Sequence, residues 1–134
     1  MTESVIIKTA LDLLSADTAF TALLDSYTIE SESYPMLLFA PILPQEWNIN
    51  NKTCNVYVVS STGQEAYDRV VLRASCRSNT YTESRAMAFA MHAVLNRYYG
   101  KDYFLETTVL PTVSPSDAEV DNYNTPVEIL ARSI

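Results

Sequence analysis

From Val5 onward, apolar residues recur near the three-to-four spacing of one helix face: Val5, Ile6, Ala10, Leu13 and Leu14. Thr2 stands where a capping hydroxyl is needed. Ser15 and Asp17 repeat the start signal ahead of Ala19, Phe20, Leu23 and Leu24. Residues 3–26 are therefore expected to hold two short helices or one kinked helix. Residues 34–40, Tyr-Pro-Met-Leu-Leu-Phe-Ala, form a short apolar run. Pro35 restricts it to a strand start or a sheet edge, and Pro41 and Pro44 stop it. Residues 41–52, with Pro, Asn and Gln around Trp47, read as a long loop.

The period then changes to two. Cys54, Val56 and Val58 share one parity, and so do Val70, Leu72, Ala74 and Cys76, with Gly63 between the runs. This predicts a β-hairpin over 53–60 and 67–77 with one buried face, both cysteines pointing into the core. The outer face then carries Arg69, Arg73 and Arg77 on one strand and Tyr57 and Val59 on the other. Helical period returns over 81–99. Thr80 with Glu83 fits a capping box; Ala86, Met87, Ala90, Val94, Leu95 and Tyr98 form the expected apolar stripe; Gly100 offers a left-handed cap. The small Ala86, Ala90 and Ala93 are expected to let the helix approach a sheet closely. Strands follow at 103–110 and around Val127, Ile129 and Ala131, separated by an acidic loop at 111–125. Helices and strands do not alternate regularly. One α+β domain spanning residues 1–134 is expected, with a mainly antiparallel sheet of about four to five strands on two main helices.

Composition narrows the function classes. The chain has 134 residues, so there is one domain's worth of polypeptide, and 48% hydrophobic residues suffice for its core. The formal charge of −7 disfavours wrapping nucleic acid. Charge is segregated: one base against seven acids in residues 1–50, six bases against three acids in 51–100, and two against six in 101–134. Such blocks mark an interaction surface or neutralise one another within the fold. No run approaches a membrane span, and the start lacks the basic region of a secretory signal, so a reducing, cytoplasmic setting is expected.

Candidate chemistry is sparse. His92 is the only histidine, with Ala88, Phe89 and Asn96 as helical neighbours, and reads as structural. A Cys76–His92 pair is geometrically conceivable, but nothing local marks an activated thiolate. Two glycines exclude a glycine-rich phosphate loop. Asp117, Glu119 and Asp121 alternate without the Gly and Glu of a calcium loop, and read as solvated. No cofactor and no enzymatic activity are expected. Nine Tyr against four Phe favours contact surfaces, with Trp47 and Tyr57 as candidate partner-binding residues.

The order of these elements resembles the tail terminator (tail completion, or minor tail protein) family of tailed bacteriophages. The residues carrying the likeness are the split N-terminal helix, Tyr34 to Phe39, the strand Asp68-Arg69-Val70-Val71-Leu72-Arg73-Ala74, the helix with Glu83, Ala86, Ala90 and Val94, and the late Pro126-Val127-Glu128-Ile129. The 41–52 stretch departs from compact members. The resemblance implies a virion protein assembled in the host cytoplasm. It would form a ring, usually a hexamer, that caps the tail tube, halts its polymerisation and docks to the head connector. Its partners would be copies of itself, the tube protein and the connector, with DNA passing through the lumen unheld. A ring needs two different patches to meet. Arg69, Arg73 and Arg77 facing a neighbour's Asp117, Glu119 and Asp121 would supply them. A head-closure or tail-joining protein is the alternative, and a small-ligand or peptide-binding domain with 41–52 as lid a more distant one.

Overall fold

The computed structural model describes residues 2–41, 44, 47, 52–63, 67–113 and 122–134. The fold is α+β, as expected. Helices α1 (Glu3–Ala16), α2 (Thr18–Thr21) and α3 (Tyr81–Leu95) accompany two sheets. β1 (Ser26–Ile29) and β2 (Glu32–Pro35) form a separate hairpin. β3 (Leu37–Phe39), β4 (Thr53–Gly63), β5 (Tyr67–Ser78), β6 (Tyr103–Val109) and β7 (Tyr123–Ser133) form a five-stranded sheet in the order β3-β4-β5-β7-β6. Only the β3–β4 pairing is parallel.

The N-terminal helix breaks where the second start signal stands. Thr2 accepts from Val5 N–H at the first start, and Asp17 Oδ1 accepts from Phe20 N–H at 2.8 Å at the second. Ile6, Ala10 and Leu14 of α1 and Phe20 of α2 are fully buried against Met87, Met91 and Leu95 of α3 and one face of the sheet. The sheet supplies Cys54 and Val56 from β4, Val70, Leu72, Ala74 and Cys76 from β5, Leu105 from β6, and Val127, Ile129 and Ala131 from β7. The period-two reading of β4 and β5 therefore holds up to a bulge. Val58 pairs with Leu72 and Ser60 with Val71, leaving Val59 as the extra residue, 47% exposed.

Several local expectations are corrected. The run 34–40 is not one strand: β2 ends at Pro35, and Met36 switches partners, its N–H donating to Asp25 C=O and its C=O accepting from Cys54 N–H. The strand after the acidic stretch starts at Tyr123, inside the expected 111–125 loop. Pro126 thus lies within a central strand. Its carbonyl accepts from Leu110 N–H just past the last ladder pair, Val109–Val127, and the return bond that proline cannot give is replaced by Arg85 Nη1, which donates to Leu110 C=O at 3.1 Å.

The helix α3 is shorter than 81–99 and turned from its expected stripe. Ser84, Met87, Ala88, Met91 and Leu95 are buried, whereas Ala86 and Ala93 are exposed. The stripe shifts because Ser84 is satisfied inside: its hydroxyl donates to Cys76 C=O at 2.7 Å and contacts Thr125 Oγ1 at 2.8 Å. The capping box forms by half. Thr80 Oγ1 accepts from Glu83 N–H, but the Glu83 carboxylate accepts from the Ser78 hydroxyl, which in turn accepts from Thr80 N–H. Gly100 is not the left-handed cap; that residue is Arg97, with φ of 64°. Gly100 is required for another reason. A Cβ there would stand 2.5 Å from the Tyr103 ring, whose hydroxyl is tied to Thr9 of α1.

Candidate assembly surface

The residues that could carry chemistry serve the core. Cys54 and Cys76 face each other in register across β4 and β5, both fully buried and both free thiols. The hydrogen bond to Cys76, and then burial, push the Cys54 thiol well above its ordinary range. His92 is half-buried, and its Nδ1 meets Thr107 Oγ1 rather than a cysteine. Among the described residues no three His, Cys, Asp or Glu side chains gather as metal ligands, and no helix is long and apolar enough to cross a membrane.

The basic residues singled out from the sequence share one surface. Both main helices pack on the same face of the five-stranded sheet, and among the described residues no helix packs on the opposite face. That face carries Arg69, Arg73 and Arg77 along β5, Tyr57 on β4, and Glu128, Leu130 and Arg132 on β7. Arg73 lies between Tyr57 and Glu128 in register, and its Nη2 stands 3.8 Å from Glu128 Oε2. Half-exposed pairs of this kind contribute about 1 kcal/mol at most. Among the described residues, the other arginines of this face have no carboxylate partner. Arg69 stands directly opposite Arg132, both exposed, a like-charge pair that costs stability in an isolated sheet. Arg77 faces Asn124, and its Nε is buried without an acceptor, as is that of Arg73. Asp117, Glu119 and Asp121, the acids expected to meet these arginines, lie outside the described residues.

Trp47 belongs to a second surface. Its ring stands 5.6 Å from that of Tyr27 on β1, and Tyr27 stands 5.7 Å from Tyr34, its register partner on β2. The β1–β2 hairpin was not legible in the sequence. It is anchored at its base by Asp25, whose carboxylate accepts from Lys52 N–H at 2.7 Å and whose N–H donates to Lys52 C=O. The two turn residues, Glu30 and Ser31, have φ of 50° and 69°. A tight hairpin turn with two left-handed residues normally uses Asn and Gly, so Glu-Ser there holds backbone strain of about 1–2 kcal/mol per residue.

The sheet edges are managed differently. Along β6 the chain at 96–100 closes the ladder: Leu105 N–H donates to Tyr98 C=O, Arg97 N–H to Leu105 C=O, Gly100 N–H to Tyr103 C=O, and Thr107 N–H to Asn96 Oδ1. A cleft of about 440 Å³ between this segment and β6 is lined by Asn96, Arg97, Tyr99, Phe104, Glu106 and Thr108. The other edge, β3, is three residues long and bounded by Pro35 and Pro41, which limits what can pair with it.

No protein-family model matches the chain, and no curated protein matches it. Its fold is similar to that of a chain from the solved virion of a native gene transfer agent particle. The superposition has a TM-score of 0.55 and covers 92% of this chain and 90% of that one, at 15% sequence identity. The likeness is therefore one of fold, along nearly the whole of both chains.

Proposed function

We propose that this chain is a structural component of a virion. One observation carries the reading: nearly all of this chain superposes on nearly all of a chain of a virion particle. The likeness therefore takes in the helices and both sheets together rather than one local motif. The order of elements in the sequence points the same way through its resemblance to phage tail terminators.

From that resemblance we infer the finer role. Copies of the chain assemble into a ring, a hexamer in the usual case, at the end of the tail tube. The ring stops tube growth and presents a face to the head connector at the tail–neck junction. DNA passes through the lumen, and a charge of −7 per copy favours passage without retention. The chain works by occupying space and contacting copies of itself, without turnover. Two features support assembly: a sheet face on which no described helix packs, with Arg69 and Arg132 in opposition, and a hairpin with an aromatic cluster. They lie on different parts of the chain, as the heterologous interface of a ring requires.

The mass of the purified chain, alone and added to tube subunits of its own particle, tests this. Native mass spectrometry is expected to give one closed species at a fixed multiple of the 15.0 kDa subunit. A chain that remains monomeric both alone and on assembled tubes would contradict the ring.

A further inference from the structure

We propose that the β1–β2 hairpin of one copy seats on the arginine-bearing sheet face of the next copy. This inference rests on the ring reading and names its contact. On the hairpin, Tyr27, Ile29, Glu32 and Tyr34 share one face, because Tyr27 pairs with Tyr34 and Ile29 with Glu32. Ile29 is 55% and Tyr34 40% exposed, so the face presents apolar area beside the Trp47–Tyr27 contact. Aromatic anchors surrounded by polar residues are the usual composition of energetically dominant contact sites. The Tyr34 hydroxyl donates to Glu32 Oε2 at 2.7 Å and fixes that carboxylate on the same face.

Charge selects the occupant. Residues 9–51 contain no Lys or Arg, and Glu30 and Glu32 stand exposed at the hairpin tip. The arginine-bearing sheet face has the opposite character. It holds Arg69, Arg73, Arg77 and Arg132 around the half-buried Leu130, with Val71 buried beside it and Glu106 and Glu128 as its acids. Arg69 and Arg132 repel each other across the ladder, and the Nε atoms of Arg73 and Arg77 are buried without acceptors. An acidic group arriving from outside would relieve the Arg69–Arg132 repulsion, since both side chains are exposed; the buried Nε atoms lie out of its reach. Within one chain the hairpin packs its two strands on each other and Tyr27 on Trp47, and among the described residues neither Glu30 nor Glu32 forms an ion pair with these arginines; a second copy brings them together. The contact joins two different patches, so it propagates from copy to copy and closes when the rotation allows. An isolated two-stranded hairpin is marginal in water, and a receiving surface completes its support.

Charge exchange tests the contact. Four chains would be compared by sedimentation across concentration at low salt: native, Glu30→Lys with Glu32→Lys, Arg69→Glu with Arg132→Glu, and all four changes together. All the substituted side chains are exposed, and circular dichroism checks that each chain is folded. Each double reversal is expected to raise the concentration needed for assembly by about 10-fold or more, and the fourfold exchange to bring it back within about 3-fold of native. Assembly of the native chain should also weaken as salt is raised. The inference is overturned by a double reversal that assembles like native, by a fourfold exchange that stays as weak as the doubles, or by a native chain that never self-associates. The mass distribution separates the two proposals. Open chains without a fixed mass that obey the charge pattern keep the hairpin contact and remove the ring. A fixed-mass oligomer indifferent to the exchanges keeps the ring and removes the contact.

Discussion

Phe20→Ala is expected to cost about 3–5 kcal/mol of folding stability. Phe20 is fully buried and sits in α2, a helix of only four residues. A single turn does not persist on its own hydrogen bonds, because the nucleus costs more than one turn returns. Its place is fixed by the Asp17 cap and by insertion of Phe20 between α1, α3 and the sheet. Losing a cap of that kind costs about 1 kcal/mol, so the ring of Phe20 is the larger contributor. Domains of this size have roughly 5–15 kcal/mol in total, and the variant would keep only part of it. Urea unfolding measures the effect as a lower midpoint at unchanged slope. A loss below about 1 kcal/mol would mean that α2 is held by something other than Phe20.

The second large effect concerns the thiols. In the native protein, Cys54 and Cys76 are expected to react with a thiol reagent at least about a thousandfold more slowly than in denaturant, since reaction needs the sheet to open. Both are 0% exposed and face each other beneath α3 and α1. The raised Cys54 pKa, from its bond to Cys76 and from burial, lowers the thiolate population further. Time-resolved labelling at constant pH, with and without denaturant, reads the ratio. Fast labelling of either cysteine in the folded chain would show that β4 and β5 separate locally, and would reopen the possibility of thiol chemistry.

What could be read from the sequence follows from periodicity. The alternation at 54–58 and 70–76 put the core face of β4 and β5 in place, and the same parity set Arg69, Arg73 and Arg77 on the other face. Period two carries that information because a strand's side chains point alternately to its two sides. The β1–β2 hairpin escaped because it has no buried face to enforce alternation, and because Glu30-Ser31 is not the residue pair its turn normally selects. The α3 stripe departs from hydrophobic order at Ala86 because a satisfied serine takes the buried place. Inside the fold Ser84 finds a carbonyl and a hydroxyl, whereas Ala86 faces out. Gly100 answers a packing need rather than a backbone one, set by a ring three residues on. On the surface, the sequence placed the arginines but not their opposition: that Arg69 faces Arg132 depends on register between strands more than sixty residues apart. Asp117, Glu119 and Asp121 lie outside the described residues, whereas Glu30 and Glu32 are exposed at the hairpin tip.

The central claim is that this chain acts by capping a growing assembly. The most direct measurement is the length distribution of tail tubes, by electron microscopy, when tube subunits polymerise with and without it. The account predicts that tubes formed in its presence stop growing and carry one ring of added density at a single end. Tubes that elongate unchanged, with the chain free in solution or bound along their sides, would contradict it.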